Sequence, residues 1–335
     1  MVGIKPVVSY SPLRISFGGG GTDISPFPET HGGAVINTTI DRGVTVTYKE
    51  DRYPLEISSR DFVSSYILSS GRKPGNVLEK LMDLFDTNEI RTGRVIINSD
   101  VPPGSGLGSS SALTTAVLKL IYELRGKDRS EMEIASEAFE TEKNKFGVTL
   151  GKQDPYAISL GGFKFMKFRK DGVDNYSIRN QDSFVRNLES RILLVYTGET
   201  RESSDVLMEQ VQKASRNDQD VLSNLVVLRD LAENMRKSVI NEDMDKFIED
   251  INEGWDIKKK LGTNVTNNKI DRIIRNALDN GAQGAKLMGG GSQGFLLIVS
   301  KEEMISELQK KMLQWSKFVI RIKFDPAGTR IISRF

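Results

Sequence analysis

The chain has 335 residues, with 47 lysines and arginines against 45 aspartates and glutamates, and it contains no cysteine. So even a balance excludes the strongly basic surface that a nucleic-acid backbone demands, and no Lys/Arg run interleaved with aromatics occurs. Without thiols there is no disulfide framework, no thiolate metal site and no cysteine nucleophile. A composition of 38% hydrophobic and 27% charged residues is that of an ordinary folded protein, long enough for two cores or one large one. No apolar run approaches the roughly 18 residues of a membrane span, and residues 1–8 lack the apolar centre of a signal peptide. The expectation is a cytoplasmic protein with no membrane partner.

Short β-branched runs at residues 13–17, 34–40, 44–48, 55–57 and 95–98 predict strands. Helical spacing at residues 75–85 and 112–124 interrupts them, a third helix is expected over 130–146, and residues 163–168 return to a strand. The charged stretch 179–189 carries little apolar pattern, so the domain boundary is placed near 188, dividing the chain into residues 1–188 and 189–335. Beyond it come a buried strand at 191–196, amphipathic helices over 203–240 and 244–261 whose Leu/Ile/Val spacing reads as core, and a shorter helix at 268–280. Strands at 285–288 and 295–299 flank a glycine cluster, and a helix at 301–315 leads to a strand at 318–324. The first part reads as α+β and the second as a split β-α-β unit.

The segment Pro102-Pro103-Gly104-Ser105-Gly106-Leu107-Gly108-Ser109-Ser110-Ser111-Ala112 lies between a strand and a helix. Unpaired N–H groups and the positive end of the dipole at a helix N-terminus attract an anion, and glycines let the backbone approach phosphate oxygens closely. No Gly-Lys-Ser/Thr closes the segment, which excludes the ordinary P-loop. A second glycine run, Gly18-Gly19-Gly20-Gly21-Thr22-Asp23, follows a strand, and a third, Gly289-Gly290-Gly291, stands near the other end of the chain. Read alone, the former is a turn capped by Asp23 and the latter a hairpin.

In this order the three segments resemble the GHMP kinase superfamily, over nearly the whole chain. The central one is close to the superfamily's Pro-x-x-x-Gly-Leu-Gly-Ser-Ser-Ala pattern. Leu13-Arg14-Ile15-Ser16 with Gly19-Gly20-Gly21-Thr22-Asp23, and then Gly32-Gly33-Ala34-Val35-Ile36-Asn37, looks most like the D-glycero-D-manno-heptose 7-phosphate kinase branch. Galactokinase and mevalonate kinase carry Glu-His where this chain has Gly20-Gly21, so their substrates are not carried over. The resemblance implies a two-domain α+β fold, with an N-terminal α+β nucleotide-binding domain, a C-terminal ferredoxin-like α/β domain and the active site between them.

It also implies ATP and magnesium, and a sugar or sugar phosphate acceptor, the anomeric hydroxyl of a heptose 7-phosphate above all. Other small polyols, a mevalonate-type alcohol, an ATP-dependent decarboxylase and a non-catalytic sugar sensor are the alternatives, and a homodimer is left open. ATP phosphates are expected on Pro103, Gly104, Ser105, Gly106, Leu107, Gly108, Ser109 and Ser110. Asp154 is expected to orient or deprotonate the acceptor hydroxyl, with Arg14, or else Lys152, as its cation. Ser110 and Glu142 are the expected metal ligands, and Gly20, Gly21, Thr22, Asp23, Gly290 and Gly291 the substrate contacts. A substrate phosphate would need a basic pocket, to which Arg169, Lys170 or Lys286 could contribute. From pattern alone, Glu142 reads as part of a solvated face with Glu137, Glu140 and Lys143, and Asp154 as an N-cap beside Pro155. His31, the sole histidine, reads as a surface loop residue.

Overall fold

The computed structural model describes residues 6–59, 64–67, 75–179, 182–198 and 204–334. Up to residue 178 the chain forms β1 (Val7–Gly18), α1 (Phe27–His31), β2 (Gly33–Pro54), β3 (Glu56–Ser59), β4 (Ser64–Ile67), α2 (Val77–Thr87), β5 (Thr92–Ser99), α3 (Ser109–Leu124), α4 (Glu131–Glu140), α5 (Gln153–Leu160), β6 (Phe163–Phe168) and β7 (Val173–Ile178). A π-helical turn, Thr141–Lys145, continues α4. Then follow α6 (Ser183–Ser190), β8 (Ile192–Tyr196), α7 (Ser204–Ser215), α8 (Gln219–Ile240), α9 (Met244–Lys258), α10 (Asn268–Asp279), β9 (Ala282–Leu287), β10 (Phe295–Ser300), α11 (Ile305–Met312), β11 (Val319–Ile320) and β12 (Arg330–Arg334).

Two sheets carry these elements. The first has the order β12-β1-β2-β5-β3-β4, with β6 also paired to β2 and β7 to β6; the second has the order β11-β8-β10-β9. β2 is one long strand where two short ones are expected. Its residues 41–43 do not turn back; they form an irregularity where the register jumps from Gly43 opposite Pro12 to Ile40 opposite Leu13, a bulge that keeps the ladder continuous.

The largest core is continuous between the sheets. It joins Leu13, Ile15 and Phe17 of β1 to Phe163 and Phe165 of β6, Ala232 and Met235 of α8, Phe247 of α9, and Phe295 and Leu297 of β10. Phe17 lies at the junction, its ring centroid 5.5 Å from Phe163, 5.4 Å from Phe247 and 6.3 Å from Phe324. A second core packs Leu193, Val195, Leu296 and Ile298 against α10 and α11. Every residue of β10 is therefore buried, which is why its sequence is apolar without a break from Phe295 to Val299. Among the described residues no helix is long and apolar enough to cross a membrane.

Several elements depart from expectation. The helix expected over 203–240 is two, broken at Asn217, whose φ of 57° no helix tolerates, and restarted by Asp218, which accepts bonds from the N–H groups of Asp220 and Val221. The stretch 179–189 contains α6, which buries only Phe184, Val185 and Leu188. Of the strand expected at 318–324 only β11 pairs in the second sheet, while β12 takes the chain back to β1.

Candidate active site

A cavity of about 860 Å³ opens between the loop before α3, the end of β1, the start of α5, the loop after β9 and the end of α9. Gly104, Gly106 and Gly108 have φ values of 72°, 76° and 77°, so the loop coils in a way that alternating left-handed residues allow. Gly108 is the N-cap of α3 and offers no side chain, which leaves the N–H groups of the first turn without a side-chain cap. The loop after β9 presses on this one backbone to backbone. A Cβ on Gly106 would lie 2.6 Å from the Met288 carbonyl oxygen, one on Gly289 would lie 2.7 Å from the Gly106 Cα, and the Phe295 N–H donates to the Ser105 carbonyl at 2.9 Å.

Arg14 reaches across this floor to Asp154. Its Nε and Nη2 donate to the two carboxylate oxygens, each at 2.7 Å, and its Nη1 donates to the Gly106 carbonyl at 2.6 Å. Asp154 is the second residue of α5 and caps nothing; the N-cap is Lys152, and the carboxylate is turned to Arg14 instead. Lys152, the alternative cation, contributes its backbone N–H to the Asp23 carbonyl at 3.2 Å.

Glu142 lies on the π-helical turn and is 1% exposed, so the solvated-face reading is overturned: Glu140 and Lys143 are exposed, and Glu142 faces inward. Ser110 Oγ donates to its Oε2 at 2.9 Å, while Oε1 is buried without a partner. Burial raises its pKa to about 7, with the Ser111 and Ser110 hydroxyls opposing and the Asp154 charge adding. Asp23 is also buried, which raises its pKa, although its oxygens accept from the N–H groups of Gln153 at 2.9 Å and Gly21 at 3.2 Å.

The cavity is lined by Arg14, Gly20, Gly21, Asp23, Pro103, Gly104, Gly106, Gly108, Ser109, Ser110, Glu142, Asp154 and Gly290. The other expected residues stand behind its wall. Thr22 is fully buried and its hydroxyl bonds the Gly19 and Ala34 carbonyls at 2.8 and 3.0 Å, Ser105 and Leu107 are fully buried, and Gly291 does not reach the lining. Thr22 thus shapes the glycine run from inside, and Ser105 joins the two glycine loops through its backbone. His31 is exposed and stacked on Phe27.

The profile described as GHMP kinases N terminal domain matches residues 73–162, and that described as GHMP kinases C terminal matches residues 232–314. The chain is 31% identical over 325 residues to the D-glycero-alpha-D-manno-heptose 7-phosphate kinase of Campylobacter jejuni, covering 92% of this chain and 94% of that protein. It belongs to the GHMP kinase family. A D-glycero-D-manno-heptose 1-phosphate kinase structure from Bacteriodes thetaiotaomicron is similar with a TM-score of 0.79 at 25% identity, over 98% of this chain and 99% of that one. A putative sugar kinase structure from Campylobacter jejuni is similar with a TM-score of 0.78 at 27% identity, over 98% of both chains. The two-domain α+β fold implied by the motifs is the fold observed.

As a GHMP kinase the protein is an ATP-dependent phosphotransferase that acts on an alcohol group. Three polar residues of this GHMP kinase's site were not anticipated as site residues from sequence. Gln153 holds Asp23 through its N–H, Ser16 donates to the Gln153 side chain at 3.3 Å, and Lys258 enters the cavity from the end of α9. Of the three basic residues weighed for a substrate phosphate only Lys286 lines the cavity; Arg169 and Lys170 are exposed at the β6–β7 turn. Glu142 did leave a trace in the sequence. Ile134, Ala135, Ala138 and Phe139 form the buried stripe of α4, and continuing that stripe by one turn lands on residue 142.

Proposed function

We propose that this GHMP kinase transfers the γ-phosphoryl group of ATP to the anomeric hydroxyl of a D-glycero-D-manno-heptose 7-phosphate. The carrying observation is the forked Arg14–Asp154 pair, set beside the glycine loop at the start of α3. Phosphoryl transfer needs phosphates held in line with the attacking hydroxyl, neutralised charge on the phosphoryl oxygens, and a place for the hydroxyl proton. The N–H groups of the loop and of the first turn of α3 hold the ATP phosphates, and the apolar wall of Val44, Ile97, Val101 and Leu113 receives the base.

Asp154 accepts the hydrogen bond of the acceptor hydroxyl and takes its proton as the oxygen attacks. Arg14 prevents the carboxylate from rotating, because a planar guanidinium bound through two nitrogens fixes both oxygens. Asp23 accepts further hydroxyls of the sugar and thereby orients the polyol. The unpartnered buried Oε1 of Glu142, next to the Ser110 hydroxyl, suits a hard divalent cation. Magnesium would be held by Glu142 and Ser110 and, when bound, would supply charge neutralisation at the phosphates.

The resemblance to the Campylobacter jejuni enzyme supports a heptose 7-phosphate as acceptor. A coupled ADP-release assay over heptoses, hexoses, their phosphates and mevalonate tests the reading. The highest kcat/KM is expected on the heptose 7-phosphate, and a higher value on mevalonate or a hexose would refute it.

A further inference from the structure

Two lysines enter the cavity from the second sheet and its helices, and the phosphoryl-transfer chemistry uses neither. Lys286 of β9 is 6% exposed, and its ammonium donates to the Phe17 carbonyl at 2.9 Å, just before the Gly18-to-Gly21 run. Lys258, the last residue of α9, donates to the Gly289 carbonyl. Both line the cavity, and among the described residues no carboxylate forms an ion pair with either. An ammonium carries three donors, and each of these is given one carbonyl, so each has N–H groups to spare in the cavity that both line.

Such an arrangement is unfavourable without a ligand. Burial lowers the pKa of Lys258 to about 8, with Arg14 adding and Asp23 and Asp154 opposing; it lowers that of Lys286 well below the usual lysine value, with Lys258 and Arg14 adding. Lys258 is among the charges acting on Lys286, and both side chains line the same cavity. Their place in it follows from what each side chain holds. The Phe17 carbonyl that holds Lys286 stands just before the glycine run that leads to Asp23, and the Gly289 carbonyl that holds Lys258 belongs to the loop after β9. The two amines therefore reach the cavity from the Gly18-to-Asp23 segment and from the second glycine loop.

We propose that Lys258 and Lys286 form the subsite for the non-reacting phosphate monoester of a phosphorylated sugar acceptor. A neutral polyol would leave both amines without a counter-charge, whereas a phosphate monoester brings about two negative charges and three acceptor oxygens to them. The assignment rests on the sugar phosphate kinase reading given above and deepens it by naming what selects the phosphorylated acceptor.

The test compares native protein with Lys258→Met and Lys286→Met, on heptose 7-phosphate and on the same heptose without phosphate, with ATP varied separately. Each substitution is expected to lower the ratio of the two kcat/KM values by about tenfold or more, the usual scale for a lost charged hydrogen bond, through KM of the sugar phosphate. The ATP KM should shift less than the sugar phosphate KM. In native protein, inorganic phosphate should inhibit competitively against the sugar phosphate and not against ATP, a readout independent of how well any variant folds. If the native enzyme selects the phosphorylated sugar, but both variants keep that selectivity or phosphate competes only with ATP, the lysine subsite is wrong and the kinase reading stands. If the native enzyme shows no preference for the phosphorylated sugar, the acceptor reading and the subsite fall together.

Discussion

Arg14 and Asp154, separated by 140 positions in the chain, meet as a two-pronged ion pair with both contacts at 2.7 Å. The same guanidinium holds the carbonyl of Gly106, so one side chain ties the carboxylate to the glycine loop. Carboxylate and phosphate cradle are set at a fixed separation by this residue. Arg14→Lys keeps the charge and loses the fork, and it is expected to lower kcat by about tenfold or more while leaving the ATP KM within a few-fold. Steady-state kinetics with ATP and acceptor varied in turn decide this, and an effect confined to the ATP KM would place Arg14 with the nucleotide instead.

Glu142→Gln keeps the shape of the side chain and removes its charge. Turnover should drop at least about tenfold, and more magnesium should be needed for half-maximal rate. Stability should change in the opposite sense. Because the folded protein holds this carboxyl's proton up to about pH 7, against about 4.5 when unfolded, native stability falls as pH rises through that window. Chemical denaturation at pH 5 and pH 8 should show a smaller fall for Glu142→Gln than for native protein.

Lys164 offers a test that does not involve catalysis. It is fully buried in β6, its ammonium donates to the Ala157 carbonyl at 3.0 Å near the end of α5, and burial lowers its pKa to about 7. Between pH 7 and the usual lysine value of about 10.5 the unfolded chain binds the proton and the folded one does not, so stability rises with pH across that window. Lys164→Met should be more stable than native at pH 7, with the difference shrinking toward pH 10. Urea midpoints at the two pH values would show it, and a less stable variant at pH 7 would mean that the Ala157 bond outweighs the burial of the amine.

Gly106→Ala places a methyl group 2.6 Å from the Met288 carbonyl oxygen at a φ of 76°. Forcing the two glycine loops apart should lower stability by about 1–3 kcal/mol and raise the ATP KM. Thermal melts with and without ATP check both, and a variant melting like native protein with an unchanged ATP KM would contradict the close packing of the loops.

What the sequence revealed divides along physical lines. β10 and α3 were legible because β10 is buried throughout and α3 along most of its length, with nearly unbroken apolar or helix-forming runs. β7 was not, since its residues are half-buried or exposed and lack alternation. Asp41-Arg42-Gly43 has the composition of a turn, and only the pairing of β2 with β1 shows that it is a bulge. In the site, glycine loops announce themselves locally because backbone geometry is a local property. The pairing of Asp154 with Arg14 could be expected only through the family resemblance, and Lys258 as a lining residue was not expected at all, because both depend on chain segments brought together by the fold and no spacing rule reaches across that distance. Glu142 stands between these cases: its place on the buried stripe of α4 could be read, but three charged neighbours in sequence masked it.

The central claim is that Asp154 serves the acceptor hydroxyl in transfer from ATP, and its most direct measurement is acceptor-dependent ADP release by native protein and by Asp154→Asn. Native protein should release ADP only when heptose 7-phosphate is added, one ADP for each phosphorylated product, and the variant should be slower by about a hundredfold or more with its fold intact, as when a positioned acid–base group is lost. A variant that turns over at the native rate, or native ADP release that ignores the acceptor, would contradict it.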